Sequence, residues 1–215
     1  LHLHPTHAAI TGADRDHRDV YGDVASFHEG LKAFAERVSG TLFLEADVHI
    51  EGVTGKRYGV TTSRQEAEAW HAAATALRIE DSWLTGDVWI GGGWQEGVRF
   101  PLAGVHNVKN GLAAVCLAEA AGAAVEACLQ RLGTFQGIKR RFAYHVRADH
   151  GIYIDDYAHH PVELEAAIAA VRLHHPGREI TGVFQQHLFT RTRDNLVEFG
   201  RALAQLDPVF LLPSY

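Results

Sequence analysis

Ile152-Tyr-Ile-Asp-Asp-Tyr-Ala-His-His-Pro161 is the stretch from which the rest of the chain is best read. Ile152 and Ile154 alternate as a buried strand does, and the strand stops abruptly at a polar turn. A helix is expected from Pro161, because proline's fixed φ and missing N–H suit the first helical position. A strand end feeding a helix N-terminus is where α/β proteins hold anionic ligands, since free N–H groups and the helix dipole point there. Two adjacent aspartates alone read as a solvated turn with one acid as a cap. Asp155, Asp156, Tyr157, His159 and His160 in a single turn shift the reading towards a site.

Around this stretch, strands near 142–148 and 151–155 are expected as a hairpin. Leu164, Ile168 and Val171 lie on one face of a helix over 161–173. Glu179 to Phe184 reads as a buried strand, followed by Gln185-Gln-His-Leu-Phe-Thr-Arg-Thr-Arg193. A last helix carries Leu196, Phe199, Leu203 and Leu206 before the strand Val209-Phe-Leu-Leu212. Such strand–helix alternation with short loops predicts a parallel sheet and an α/β class. Upstream, Phe135-Gln-Gly-Ile-Lys-Arg-Arg-Phe142 sets three consecutive cations beside a glycine. Arg can hold a phosphate bidentately and Lys as a point charge. A new domain is expected to open here, dividing the chain into 1–134 and 135–215.

Gly104-Val-His-Asn-Val-Lys-Asn110 leads into an alanine-rich helix with Leu112, Val115 and Cys116 at its apolar positions. Asn107 and Asn110, three apart, can face one ligand, and an Asn amide can pair with the N6 and N7 edge of adenine. N-capping is the plainer role for one Asn. It does not account for the whole His-Asn-x-x-Asn. Residues 70–101 alternate between Gly-rich breaks and suggest antiparallel hairpins, with their aromatics serving packing. Earlier come a short strand at 8–11, a helix over 24–38 and a strand at 41–44. A second helix is expected over about 124–132.

Asp14-Arg-Asp-His-Arg-Asp19 gathers carboxylates around His17, a donor set for Mg²⁺ or Mn²⁺ rather than structural zinc. Most loops of this kind are only solvated. Gly52-Val-Thr-Gly-Lys-Arg57 looks like a phosphate loop but lacks the hydroxyl after the lysine, so it reads as a surface turn.

Composition narrows the function classes. A 47% hydrophobic share over 215 residues supports real cores, and a net charge of −6 argues against broad nucleic-acid or membrane surfaces. Fifteen histidines are scattered without zinc spacing. Cys116 and Cys128 read as small core residues of a cytoplasmic, reducing environment. The chain starts Leu1-His-Leu-His and contains no methionine, so a piece of a longer protein is expected.

Five motifs then occur in one order: Ile10-Thr…Asp16-His-Arg-Asp-Val-Tyr-Gly22, Gly104-Val-His-Asn-x-x-Asn110, Phe135-Gln-Gly-Ile-Lys-Arg-Arg-Phe142, Asp155-Asp-Tyr-Ala-His-His-Pro161 and Phe184-Gln-x-His-Leu-Phe-Thr-Arg-Thr-Arg-Asp194. In that order the chain resembles the Mur ligases over its full length, and the last two motifs resemble the alanine-adding branch most. The resemblance implies the later part of a central ATPase domain, with antiparallel hairpins, followed by the first half of a Rossmann-like C-terminal domain. The UDP-sugar domain and the P-loop would precede Leu1.

The implied chemistry is phosphorylation of the carboxylate of UDP-N-acetylmuramate by ATP with Mg²⁺, followed by attack of the amine of L-alanine on the acyl phosphate. By the same resemblance, His17 holds the metal and serves catalysis. His106, Asn107 and Asn110 take the adenine side, while Lys139, Arg141, Asp156 and Tyr157 take the nucleotide from the second domain. His159, His187 and Arg191 serve phosphates and substrates. Gly12 and Gln186 depart from the family pattern, where Asn and Pro are usual. A murein-peptide-recycling ligase or a folylpolyglutamate synthase would share the Asn helix and the Asp-Tyr-Ala-His turn. The Gln-x-His-Leu-Phe-Thr-Arg-Thr run favours the alanine-adding branch over both. From another class, the chain on its own could be a non-catalytic nucleotide-binding fragment. Lys32 lies fifteen residues after His17, near the spacing at which several relatives carry a carbamoylated lysine; an exposed helix lysine is the ordinary reading.

Overall fold

The computed structural model describes residues 3–13, 24–80, 83–186 and 189–213. They divide into two compact units, residues 1–101 with 106–135, and residues 102–105 with 136–215. The first unit runs β1 (Ala8–Ile10), α1 (Val24–Ala35), β2 (Leu42–Glu45), β3 (Lys56–Val60), α2 (Arg64–Ala69), β4 (Ala72–Glu80), β5 (Trp83–Ile90), β6 (Gly93–Phe100), α3 (Val105–Ala120) and α4 (Val125–Gly133).

The strands form one sheet in chain order, parallel from β1 to β4 and antiparallel from β4 to β6. The change of direction is written in β4. Ala72 to Thr75 are all buried, as in a strand covered on both faces, and the second half then alternates with exposed positions, as in an antiparallel ribbon wet on one side. A register shift between Thr75 and Arg78, with Ala76 at φ 51°, separates the two halves. The hairpins expected over 70–101 are present.

The main core of this unit lies between sheet and helix. Val108, Leu112, Val115 and Cys116 of α3 meet Phe43, Tyr58, Val88 and Phe100 of the strands. Cys116 is buried and Cys128 half-buried, both as free thiols, and burial pushes the Cys116 thiol up to about 12. Gly52, at φ 74°, turns the chain directly into β3. No helix follows Lys56, so this stretch is a turn and not a phosphate loop.

The second unit contains the hairpin β7 (Ala143–Ala148) and β8 (Gly151–Asp155), then α5 (Pro161–His174), β9 (Gly182–Gln185), α6 (Phe189–Asp194), α7 (Leu196–Leu203) and β10 (Val209–Leu212). β9 and β10 pair in parallel, as strand–helix alternation predicts. The hairpin expected over 142–155 is present, and among the described residues β8 pairs with β7 alone. Two expectations need correcting: β8 is half-buried rather than buried, and β9 begins at Gly182 instead of Glu179. α5 serves two cores: Leu164 and Ile168 pack with Phe184 and Phe199, and Ala170 packs with Ala103 and Phe142.

Near the end of α5, Tyr144 Oη lies 2.9 Å from His175 Nε2, and the Arg147 guanidinium sits 3.8 Å over the Tyr144 ring. His174 Nε2 is buried without a hydrogen-bond partner among the described residues. Burial first, then the charges of His175 and Arg147, lower the His174 pKa; burial, Arg147 and Arg178 lower that of His175. A base whose folded pKa is depressed is protonated first in the unfolded chain. The stability it permits is therefore intact above the ordinary histidine value of 6.5 and is lost as pH falls below it. Thermal melts of the second unit should shift to lower temperature from pH 7 to pH 5, and His174→Gln/His175→Gln should flatten that slope.

Candidate functional site

Two sets of site residues stand out, one in each unit. In the first, α3 begins at Val105, after Gly104 at φ 94°. Asn107 and Asn110 therefore lie inside the first turns of the helix and not at its cap, which removes the plainer reading of this motif. Spaced by three, they share a face; Asn110 is exposed and Asn107 half-buried, as is His106. Lys109, between them in sequence, points elsewhere. Its Nζ lies 2.7 Å from Asp47 Oδ2 and 2.8 Å from Glu45 Oε1. The Asp47 contact is a hydrogen bond as well as an ion pair, and the Glu45 contact is an ion pair.

Glu45 ends β2 with 3% of its surface exposed, and its Oε2 accepts the Asp47 backbone N–H at 2.9 Å. Burial alone would pull the Lys109 amine down, but its bonds to Asp47 and Glu45 outweigh that and raise it. The same contact lowers Asp47. Neither acid was among the residues read from the sequence as functional. An acid closing an apolar strand, Phe43-Leu-Glu45, was the available signal.

In the second unit the turn after β8 is closed by its own side chains. Asp156 accepts the backbone N–H of Phe142 and of Ala158, each at 2.8 Å. Glu163 reaches back from the first turn of α5 to the N–H groups of His159 at 3.0 Å and His160 at 3.3 Å. The Tyr157 N–H goes to the Arg140 carbonyl at 2.7 Å. All four amides of 157–160 are thus occupied from within the protein. The turn amides that precede α5 are therefore committed to internal acceptors, three of them to the carboxylates of Asp156 and Glu163.

The basic loop before β7 offers positive charge to an anion. Gly137, Arg140 and Phe142 have φ of 84°, 59° and 50°, a strained course pinned by Asp156. Lys139, Arg140 and Arg141 are exposed on it. Arg140 stacks its guanidinium 4.7 Å over Tyr157 and has its Nε 3.9 Å from Asp155 Oδ2, so it is held in place. Arg141 Nη1 approaches Glu163 Oε1 at 4.0 Å. His159 Nδ1 lies 2.8 Å from the Tyr157 carbonyl and 3.3 Å from Glu163 Oε2. Arg191 lies in α6, where its carbonyl accepts two bonds from Asn195. His17 and His187 lie outside the described residues.

Among the described residues no three His, Cys, Asp or Glu side chains gather as a metal site, and no helix is long and apolar enough to cross a membrane. Lys32 stands exposed in the last turn of α1, over Gly52, as an ordinary helix-end lysine does.

The Mur ligase middle domain matches residues 1–118, and the Mur ligase glutamate ligase domain matches residues 140–214. The chain belongs to the Mur ligase family. It is 39% identical over 217 residues to the UDP-N-acetylmuramate--L-alanine ligase of Flavobacterium johnsoniae and 37% identical to that of Flavobacterium psychrophilum. Each match covers 100% of this chain and 46% of the relative, so this Mur ligase chain spans about half the length of the curated relatives it matches. The crystal structure of UDP-N-acetylmuramate-alanine ligase from Thermotoga maritima superposes with a TM-score of 0.79 at 22% identity, over 99% of this chain and 47% of that one. At that identity the likeness concerns the fold.

Proposed function

We propose that this chain is the central segment of an ATP-dependent ligase that joins L-alanine to UDP-N-acetylmuramate in peptidoglycan synthesis in the cytoplasm. Residues 1–134 would belong to the ATPase domain and residues 135–215 to the C-terminal domain. The observation that carries the reading is 39% identity across the whole of this chain to a relative bearing that name, which the recycling-ligase and folylpolyglutamate synthase alternatives lack among the relatives above. The γ-phosphoryl group of ATP passes to the substrate carboxylate, the amine of L-alanine attacks the acyl carbon, and phosphate leaves with the amide formed. Such chemistry needs positioning and charge neutralisation more than covalent help from the protein.

Within that scheme His106, Asn107 and Asn110 present amide and imidazole groups to adenine from the start of α3. Lys139 and Arg141 bring positive charge to phosphates, with Arg140 held by Tyr157 and Asp155. Asp156 shapes that loop through its two backbone bonds and keeps acceptor capacity on each oxygen for the nucleotide, as Tyr157 offers its exposed ring. His159, whose ring is oriented by Tyr157 and Glu163, faces phosphate or substrate; His187 and Arg191 serve the substrates. His17 is the candidate ligand for Mg²⁺, which would neutralise phosphate charge when bound.

Asn107→Ala should weaken ATP binding by about 1–3 kcal/mol, the worth of a bidentate amide contact. Calorimetric titration of ATP into the longer protein that carries this chain measures it. An unchanged affinity would remove Asn107 from the adenine site. The whole reading is tested by release of ADP, which should require both UDP-N-acetylmuramate and L-alanine.

A further inference from the structure

The ion cluster at the end of β2 has no part in the scheme above, yet it grips the helix that carries Asn107 and Asn110. Glu45 is 97% buried by its 3% exposure, and such a carboxylate needs a cation. Lys109 supplies it at 2.8 Å and binds Asp47 at 2.7 Å, so its ammonium is shared by two acids of one strand end. The strand end is itself braced: the Arg57 guanidinium donates to the carbonyls of Ala46 at 2.6 Å and Val48 at 3.3 Å. Tyr58, fully buried, leaves its hydroxyl without a hydrogen-bond partner among the described residues, and burial, followed by the Glu45 charge, pushes that phenol up. Lys109 is thus the cation that compensates Glu45 here.

The helical geometry gives this grip a consequence. At 3.6 residues per turn, Asn107 and Asn110 diverge by about 60°, while Lys109 points about 160° away from Asn107 and about 100° away from Asn110. Lys109 therefore leaves the helix on a different side from the two asparagines, and rotation of the first turns of α3 would break both ion contacts at once. We propose that Lys109 is a positioning residue for the adenine side. By locking onto Glu45 and Asp47, it sets the rotation and height of the first turns of α3 and so the placement of the Asn107 and Asn110 amides. The inference rests on the adenine reading of those asparagines.

Lys109→Met removes the cation but strands Glu45, so the telling variant is Glu45→Gln/Lys109→Met, which removes both charges and keeps the side chains close in size. In the longer protein, this double variant should unfold near the wild-type temperature yet bind ATP about tenfold more weakly, as expected when a positioned group loses its support. The affinity for UDP-N-acetylmuramate should not change. kcat at saturating ATP should be kept while the KM for ATP rises, and Lys109→Arg, which keeps the charge, should recover most of the affinity. A folded double variant that binds ATP like wild type would overturn the proposal and leave the cluster as packing. Asn107→Ala is measured alongside. If it too leaves ATP affinity unchanged, the adenine reading is wrong and the positioning role falls with it; if Asn107→Ala weakens binding and the double variant does not, only the positioning role is lost.

Discussion

Asp156→Ala should destabilise the second unit by about 3 kcal/mol, because two backbone N–H groups lose a charged acceptor at once. The bonds to Phe142 and Ala158 tie the basic loop to the turn after β8 across fourteen residues of sequence. Arg140 and Phe142 hold left-handed conformations that neither side chain favours. Without Asp156 nothing in that pair of bonds opposes their relaxation, so Lys139, Arg140 and Arg141 should lose their fixed course. Hydrogen exchange at the Phe142 and Ala158 amides should accelerate sharply. Asp156→Asn, whose amide can accept at only one atom, should recover no more than half of the loss. All four tryptophans, Trp70, Trp83, Trp89 and Trp94, lie in the first unit, so the tryptophan-detected urea transition should stay where it is in wild type. A shift of that transition instead would mean that Asp156 acts on something other than its own loop.

Leu112→Ala should have a similar effect on the other unit, about 3–4 kcal/mol, within the range for fully buried leucines. Leu112 is wholly buried in α3 among Phe43, Tyr58, Val88 and Phe100. Its surroundings have little room to collapse into the void. A Cβ on the adjacent Gly111 would meet Leu132 of α4 at 3.2 Å, so the two helices are already in close contact. Here the tryptophan-detected transition is the measurement, and it should move to lower urea with its slope kept. Leu173→Ala, at a position 44% exposed on α5, should change stability by no more than about 0.5 kcal/mol.

How far the residues announced this molecule can be judged element by element. Pro161 at the first turn of α5, the hairpin over 143–155 and the antiparallel ribbon after Trp70 follow from local chemistry, and the structure has them. β3 was not legible, because Lys56 and Arg57 at its start disguise a strand whose Tyr58 is fully buried. β8 was read as buried because Ile152 and Ile154 alternate, and it is half-buried. Alternation reports that one face is covered, not which strands lie alongside. The site divides in the same way. That Asn107 and Asn110 share a helix face follows from their spacing. The filling of the 157–160 amides by Asp156 and Glu163, and the capture of Lys109 by Glu45 and Asp47 across 62 residues or more, depend on tertiary placement that no local pattern encodes.

This Mur ligase segment is proposed to support alanine addition. The most direct measurement replaces the matching segment of the Flavobacterium johnsoniae relative with this chain and follows the reaction by mass spectrometry. With ATP, Mg²⁺, UDP-N-acetylmuramate and an equal mixture of L-alanine, glycine, L-serine and D-glutamate, the chimera should form the L-alanyl product first and release one ADP for each amide made. A soluble, folded chimera that joins none of these amino acids, or that prefers D-glutamate, would contradict the account.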